Sequence, residues 1–209
     1  MRYTPQHKTA THKRIVTVAS ELFRSQGIGN VGVIDLMQRA GLTHGGFYAH
    51  FSSKDALAAE ACRAAFDESC QRVLHLLEHG EPGKRFAAVV ERYLSTAHRD
   101  HPNKGCVAAA LASEAAHQSD PVREAMASGI RRLVESVEKV IEADGLTLDA
   151  HSAVATLVGA MVLSRAVADP RLSEQLLSCA RDSLLSAYGS KRAASIKTDL
   201  RSGGKRARS

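Results

Sequence analysis

The chain has 209 residues, 44% hydrophobic and 24% charged, ordinary globular proportions that exclude general disorder. Its longest nearly apolar stretch, Ala153–Leu163, is far shorter than the ~20 residues a membrane helix needs, and Met1–Lys13 is polar with no apolar signal core, so a cytoplasmic protein without a membrane partner is expected. The net charge of +6 is unevenly spread: residues 1–54 hold seven Lys/Arg against Glu21 and Asp35, residues 55–188 hold nineteen acidic and fourteen basic side chains, and residues 189–209 hold seven basic ones against Asp199 alone. One end is suited to a polyanion while the acidic body is not. Cys62, Cys70, Cys106 and Cys179 lack CxxC spacing and read as reduced thiols, with neither a disulfide framework nor a metal site.

With 33 alanines, few aromatics and no alternating β-branched runs, the pattern predicts an all-α chain of about nine helices. They fall approximately at 10–26, 33–40, 44–50, 53–79, 84–99, 106–117, 121–143, 150–168 and 171–188. In the first, Ile15, Val18, Ala19, Leu22 and Phe23 share one face, and Gly27 supplies a stop. Val33, Leu36, Met37 and Ala40 repeat the spacing, and Gly41-Leu42-Thr43 then leads into a short helix from His44 to His50, the layout of a helix-turn-helix. Thr43 is placed to cap that helix. Gly45 and Gly46 weaken its first turn by about 1 kcal/mol each, which makes sense if the backbone must approach a base edge closely.

The segment GIGNVGVIDLMQRAGLTHGGFYAHFSSKDAL, Gly27–Leu57, resembles the DNA-binding region of the TetR family of transcriptional regulators. The register runs through the Ala40-Gly41 turn, Thr43, the aromatic pair Phe47-Tyr48, His50-Phe51 and Ser53-Lys54. Gly32 departs from it, standing where family members usually carry a capping Ser or Thr. The resemblance implies that Thr43, His44, Gly45, Gly46, Tyr48 and Ala49 face double-stranded operator DNA and that Lys54 meets a phosphate, while Phe47 and Phe51 are core. His50 is open between a phosphate contact and packing, and Lys8, Lys13 and Arg14 between reaching the DNA and a solvated arm. The implied organisation is a helix-turn-helix DNA-binding domain over residues 1–54, a ligand-binding and dimerisation domain over 55–188, and a basic disordered tail over 189–209. The implied function is a repressor released by a small-molecule or electrophile inducer, with no cofactor.

The helix at 150–168 is apolar nearly all round and rich in small residues; with Leu172, Leu176, Leu177, Ala180, Leu184 and Leu185 it reads as half of a four-helix interface between two copies of the chain. A ligand site then falls within residues 62–143, with Phe66, Phe86, Tyr93, Glu114, His117, Met126 and Arg165 as candidate lining, each also compatible with plain core or surface. Arg165 reads better as an ion-pair partner than as an anion holder. Cys106 opens the sixth helix near free N–H groups and Lys104, which favours a reactive thiolate, and GCVAAALASE resembles this helix in a TetR branch that includes electrophile-responsive members. Packing is the competing role, and Cys62, Cys70 and Cys179 are expected to react more slowly.

One enzyme reading competes. His75-Leu-Leu-Glu-His79 matches H-x-x-E-H, in which two His at i and i+4 chelate zinc and Glu78 acts as base, a helical hydrolase. No third ligand follows by spacing, and there is no GxSxG elbow, P-loop or GxGxxG with an acidic partner, so no catalytic or metal residue is assigned and the chain is read as no enzyme.

Overall fold

The computed structural model describes the backbone of residues 5–203 and the side chains of residues 6–186. Every regular element among them is helical: α1 Pro5–Gln26, α2 Val33–Arg39, a 3₁₀ helix His44–Ala49 that is the candidate reader, α3 Lys54–His79, α4 Arg85–Tyr93, α5 Thr96–Asp100, a 3₁₀ turn Pro102–Lys104, α6 Val107–Ala115, α7 Asp120–Ala143, α8 Ala150–Ala166 and α9 Pro170–Gly203.

Three boundaries differ from the sequence expectation for identifiable reasons. The helix expected over 84–99 breaks at Leu94, whose carbonyl accepts a hydrogen bond from Arg181 Nη2 at 2.7 Å and so leaves the helical ladder. The reader is a 3₁₀ helix because its two glycines favour no α-turn; Gly46 N–H bonds to Thr43 O and His50 N–H to Phe47 O, three residues back. The expected disordered tail is corrected in part: α9 continues to Gly203 through a proline-free stretch rich in Ala, Lys and Arg, all strong helix formers, whereas residues 204–209 lie outside the described residues.

The chain forms two compact units, one comprising residues up to Arg72 with Ala97–Val134, the other Val73–Thr96 with residues from Glu135 onward. In the first, α1 buries Ile15, Val16, Ala19, Leu22 and Phe23, and the core is completed by Leu36, Met37, Phe47, Phe51, Leu57, Phe66 and Leu111. Gly129 on α7 lets that helix lie directly on Phe66, since a Cβ there would fall inside the aromatic ring. In the second unit, the buried carboxylate of Asp144 organises the start of α4, accepting the Gly83 and Phe86 N–H groups at 2.9 Å each and meeting Arg85 Nη1 at 3.5 Å. Helices α8 and α9 pack through Met161, Leu157 and Leu177, with the Ser173 hydroxyl donating to Ser164 O at 2.7 Å.

Two of the helices open on aspartate caps. Asp149 and Asp169 accept the N–H groups of Ser152 and Arg171, opening α8 and α9. Gly27 and Gly41 take φ values of +85° and +66°, the left-handed conformation that ends α1 and turns α2 into the reader.

Candidate DNA-reading face

The reader stands on two buried rings. Phe47 and Phe51 are 1% and 5% exposed and point into the first unit's core, which turns the opposite side of this short helix outward. On that side Thr43, His44, Gly45, Tyr48 and Ala49 are exposed, Tyr48 at 68% of its surface. The Tyr48 ring is held edge-on to Phe47 at 5.3 Å and to His44 at 6.1 Å, so an aromatic with a free hydroxyl end is presented by packing. Nothing lies within 4 Å of a Cβ built on Gly45, leaving the backbone open to close approach; Gly46 is half-buried, in ordinary contact range of Met37 and Thr43. Thr43 occupies the cap position without forming a side-chain cap bond, which corrects its expected capping role and frees its hydroxyl. Gly32 likewise caps α2 with no side chain.

Lys54 opens α3, where Ser53 Oγ accepts the Ala56 N–H at 3.0 Å; its ammonium makes only a long contact to Gly29 O at 3.4 Å. A cation beside a helix N-terminus and free to re-aim suits a phosphate. His50 closes the reader half-buried, its Nδ1 enclosed without a hydrogen-bond partner. Its ring lies 5.8 Å from His12, which stacks on Phe51 at 4.4 Å and bonds Glu60 Oε1 through Nε2 at 2.7 Å. Burial first, then the charges of His12 and Lys8, push the His50 pKa below its ordinary value.

Sequence reasoning missed the groups that hold this face from behind. Arg24 is 5% exposed and gives Nε–H to Ser20 O and Nη1–H to Gly105 O at 2.9 Å, with Glu68 3.5 Å away; burial dominates in lowering its pKa. Glu114, expected near a ligand, turns instead to the end of α1 and accepts the N–H groups of Ile28 and Gly29. The available signals were an arginine in register with the buried Val16 and Ser20, and the doublet Gly27-x-Gly29.

The expected ligand residues are distributed over both units. Phe66 and Phe86 are fully buried core residues in different units, Met126 is core, and His117 is exposed, while Tyr93 and Arg165 are half-buried in the second unit. Cys106 is the N-cap of α6, as expected, but is 3% exposed; its N–H donates to His98 Nε2 at 2.9 Å. Cys179, expected to be among the slower thiols, is the exposed cysteine, whereas burial pushes the Cys62 thiol up to about 11. The His75 and His79 rings stack on the surface at 4.4 Å, and His79 Nδ1 bonds the His75 carbonyl; among the described residues no three His, Cys, Asp or Glu converge to hold a metal.

Residues 15–61 match the model of bacterial regulatory proteins of the tetR family, and residues 82–179 match a tetracyclin repressor-like C-terminal domain. The chain belongs to the TetR family. The HTH-type transcriptional repressor NemR of Escherichia coli K12 is 25% identical over 139 residues, 66% of this chain and 69% of that one. The HTH-type transcriptional regulator LmrA of Bacillus subtilis 168 is 23% identical over 154 residues, 73% and 82%. The crystal structure of reduced E. coli NemR shares the fold with a TM-score of 0.72 at 22% identity, covering 83% of this chain and 95% of that one; a TetR-family regulator from Agrobacterium tumefaciens gives 0.70 at 22% identity, covering 85% and 97%. As a TetR-family chain this is a DNA-binding transcriptional regulator and no enzyme, which overturns the hydrolase reading of His75, Glu78 and His79. Among the described residues no helix is long and apolar enough to cross a membrane.

Proposed function

We propose that this TetR-family chain is a cytoplasmic repressor that binds a two-fold operator as a homodimer, through Thr43, His44, Gly45, Gly46, Tyr48, Ala49, His50 and Lys54, and is released by an inducer. The observation that carries the DNA-reading assignment is the exposed polar face raised on the buried Phe47 and Phe51. Dimerisation draws support from α8: Ala155, Gly159, Val162, Leu163 and Ala166 recur at helical spacing on the side its own core leaves uncovered, with Val162 and Leu163 39% and 53% exposed and Leu172 of α9 42%. A two-fold dimer reads half-sites separated by whole helical turns. Selecting bound duplexes from random DNA and weighing the protein in solution test this together: a palindromic site and a dimer mass are expected, and a monomer at micromolar concentration or no preferred site refutes it. Lys54→Ala is expected to weaken all sequences alike and reduce the salt slope by about 1, whereas His44→Ala also changes base preference.

Cys106 carries the electrophile branch of this reading. It opens α6 one residue after Gly105, whose carbonyl holds Arg24, so an adduct on the buried thiol has no room without moving that junction. Treating the operator complex of a Cys179→Ser protein with N-ethylmaleimide is expected to release DNA, and Cys106→Ser to abolish the release. Equal release from both, or no mass added at Cys106, leaves Cys106 a packing residue.

A further inference from the structure

The turn that ends α1 is built around a carboxylate from elsewhere in its unit. The successive N–H groups of Ile28 and Gly29 converge on Glu114 Oε2 and Oε1 at 3.0 and 2.6 Å. Consecutive backbone donors wrapped about an anion form a concave nest, here filled by the chain's own side chain. Gly27 and Gly29 leave the room: a Cβ on Gly27 would stand 2.8 Å from Oε2 and one on Gly29 3.4 Å from Oε1. At the other end of α6, Gly105 O accepts Arg24 from the last turns of α1. The end of α1 is therefore held at both ends of α6, attachments separated by the nine residues of that helix, about 13 Å at 1.5 Å per residue. One attachment leaves a helix free to swing; two fix its tilt. The reader packs on α2, α2 packs on α1, and His12 of α1 stacks on Phe51 just past the reader, so what fixes α1 aims the reader.

We infer that Glu114 and Arg24 are positioning residues that set the reader's orientation and thereby the half-site spacing the dimer accepts. The inference rests on the homodimeric reading above. Neither side chain lies on the exposed face of the reader, so their effect is on geometry between half-sites and not on recognition within one.

The test uses the full chain and four duplexes: the selected operator, the same operator with one base pair inserted between half-sites, a single half-site and random DNA. Wild type is expected to discriminate against the altered spacing. In Glu114→Ala and Arg24→Met that discrimination ratio is expected to fall at least roughly fivefold while half-site and random-DNA affinities stay within about twofold. Glu114→Gln, which keeps one acceptor oxygen, is expected to fall between, and decides the matter if the alanine variant does not fold. Amide exchange at Ile28 and Gly29 should rise in the same order. A wild-type ratio retained in the variants overturns the positioning role alone, as does equal loss on the single half-site, which marks a damaged reader. A wild type that is monomeric or indifferent to spacing overturns the dimer reading itself.

Discussion

Two turns in this chain are closed by the same device in opposite surroundings. Glu114 in the first unit and Asp144 in the second each gather two backbone N–H groups of a turn onto one carboxylate. Asp144 is fully buried and also meets Arg85, so its turn is part of a core and its value is stability. Glu114 remains half-exposed, with Gln118 as a further donor at 3.2 Å, and it joins the turn that ends α1 to α6. Burial decides what an equal pair of hydrogen bonds is worth.

That contrast breaks most visibly at Asp144. Asp144→Ala leaves the buried N–H of Phe86, the part-buried N–H of Gly83 and a mostly buried guanidinium without this acceptor and is expected to destabilise by about 3–5 kcal/mol, measured by urea unfolding. A loss under about 1 kcal/mol would mean water enters the site and the two turns are equivalent. Next comes Gly129→Ala in the first unit. The atom it meets is a packed ring and not a flexible chain end, so the cost should reach the upper part of the usual overpacking range, about 3 kcal/mol. Glu114→Ala should cost only about 1–2 kcal/mol. An Asp144-sized loss at Glu114 would show that the α1 turn, too, is principally structural.

The reader lies at the far end of this scale. Tyr48→Phe and His44→Ala remove exposed groups and should shift stability by less than about 0.5 kcal/mol while changing operator affinity. The pairing of negligible stability change with altered sequence preference separates residues that read from residues that aim.

What the sequence made legible was local. The buried face of α1, the left-handed Gly27 and Gly41, and the inward Phe47 and Phe51 all follow from spacing or from one residue's own backbone preference. What it hid depends on partners remote in the chain. The break at Leu94 is caused by Arg181, the room at Gly129 is for Phe66, and Glu114 faces Gly29 across most of the first unit's sequence. Such pairings impose no period on the residues between them, so each member reads alone as an ordinary surface charge or a weak point in a helix. The ligand lining was not legible for a related reason: polar and aromatic residues on amphipathic helices fit core, surface and pocket equally until packing assigns them.

The smallest expected effect concerns pH at the reader's last residue. His50 is disfavoured as a cation by burial, by His12 and by Lys8, and its enclosed Nδ1 offers an added proton no acceptor. Its pKa is therefore lower folded than unfolded. Above the ordinary histidine value of 6.5 both states are neutral and the full stability is present; as pH falls below it, the unfolded chain takes up the proton first and stability is lost, until the folded pKa is passed. Glu60 of α3 faces His12 through the 2.7 Å contact to its Nε2. Urea midpoints of wild type and His50→Gln should run parallel from pH 8 to about 7 and converge or cross between about 6.5 and 5, wild type falling faster. Because this depends on the first unit alone, His50→Gln should leave the cost of Asp144→Ala unchanged at every pH; a cost that changes would show that His50 and Asp144 are not independent.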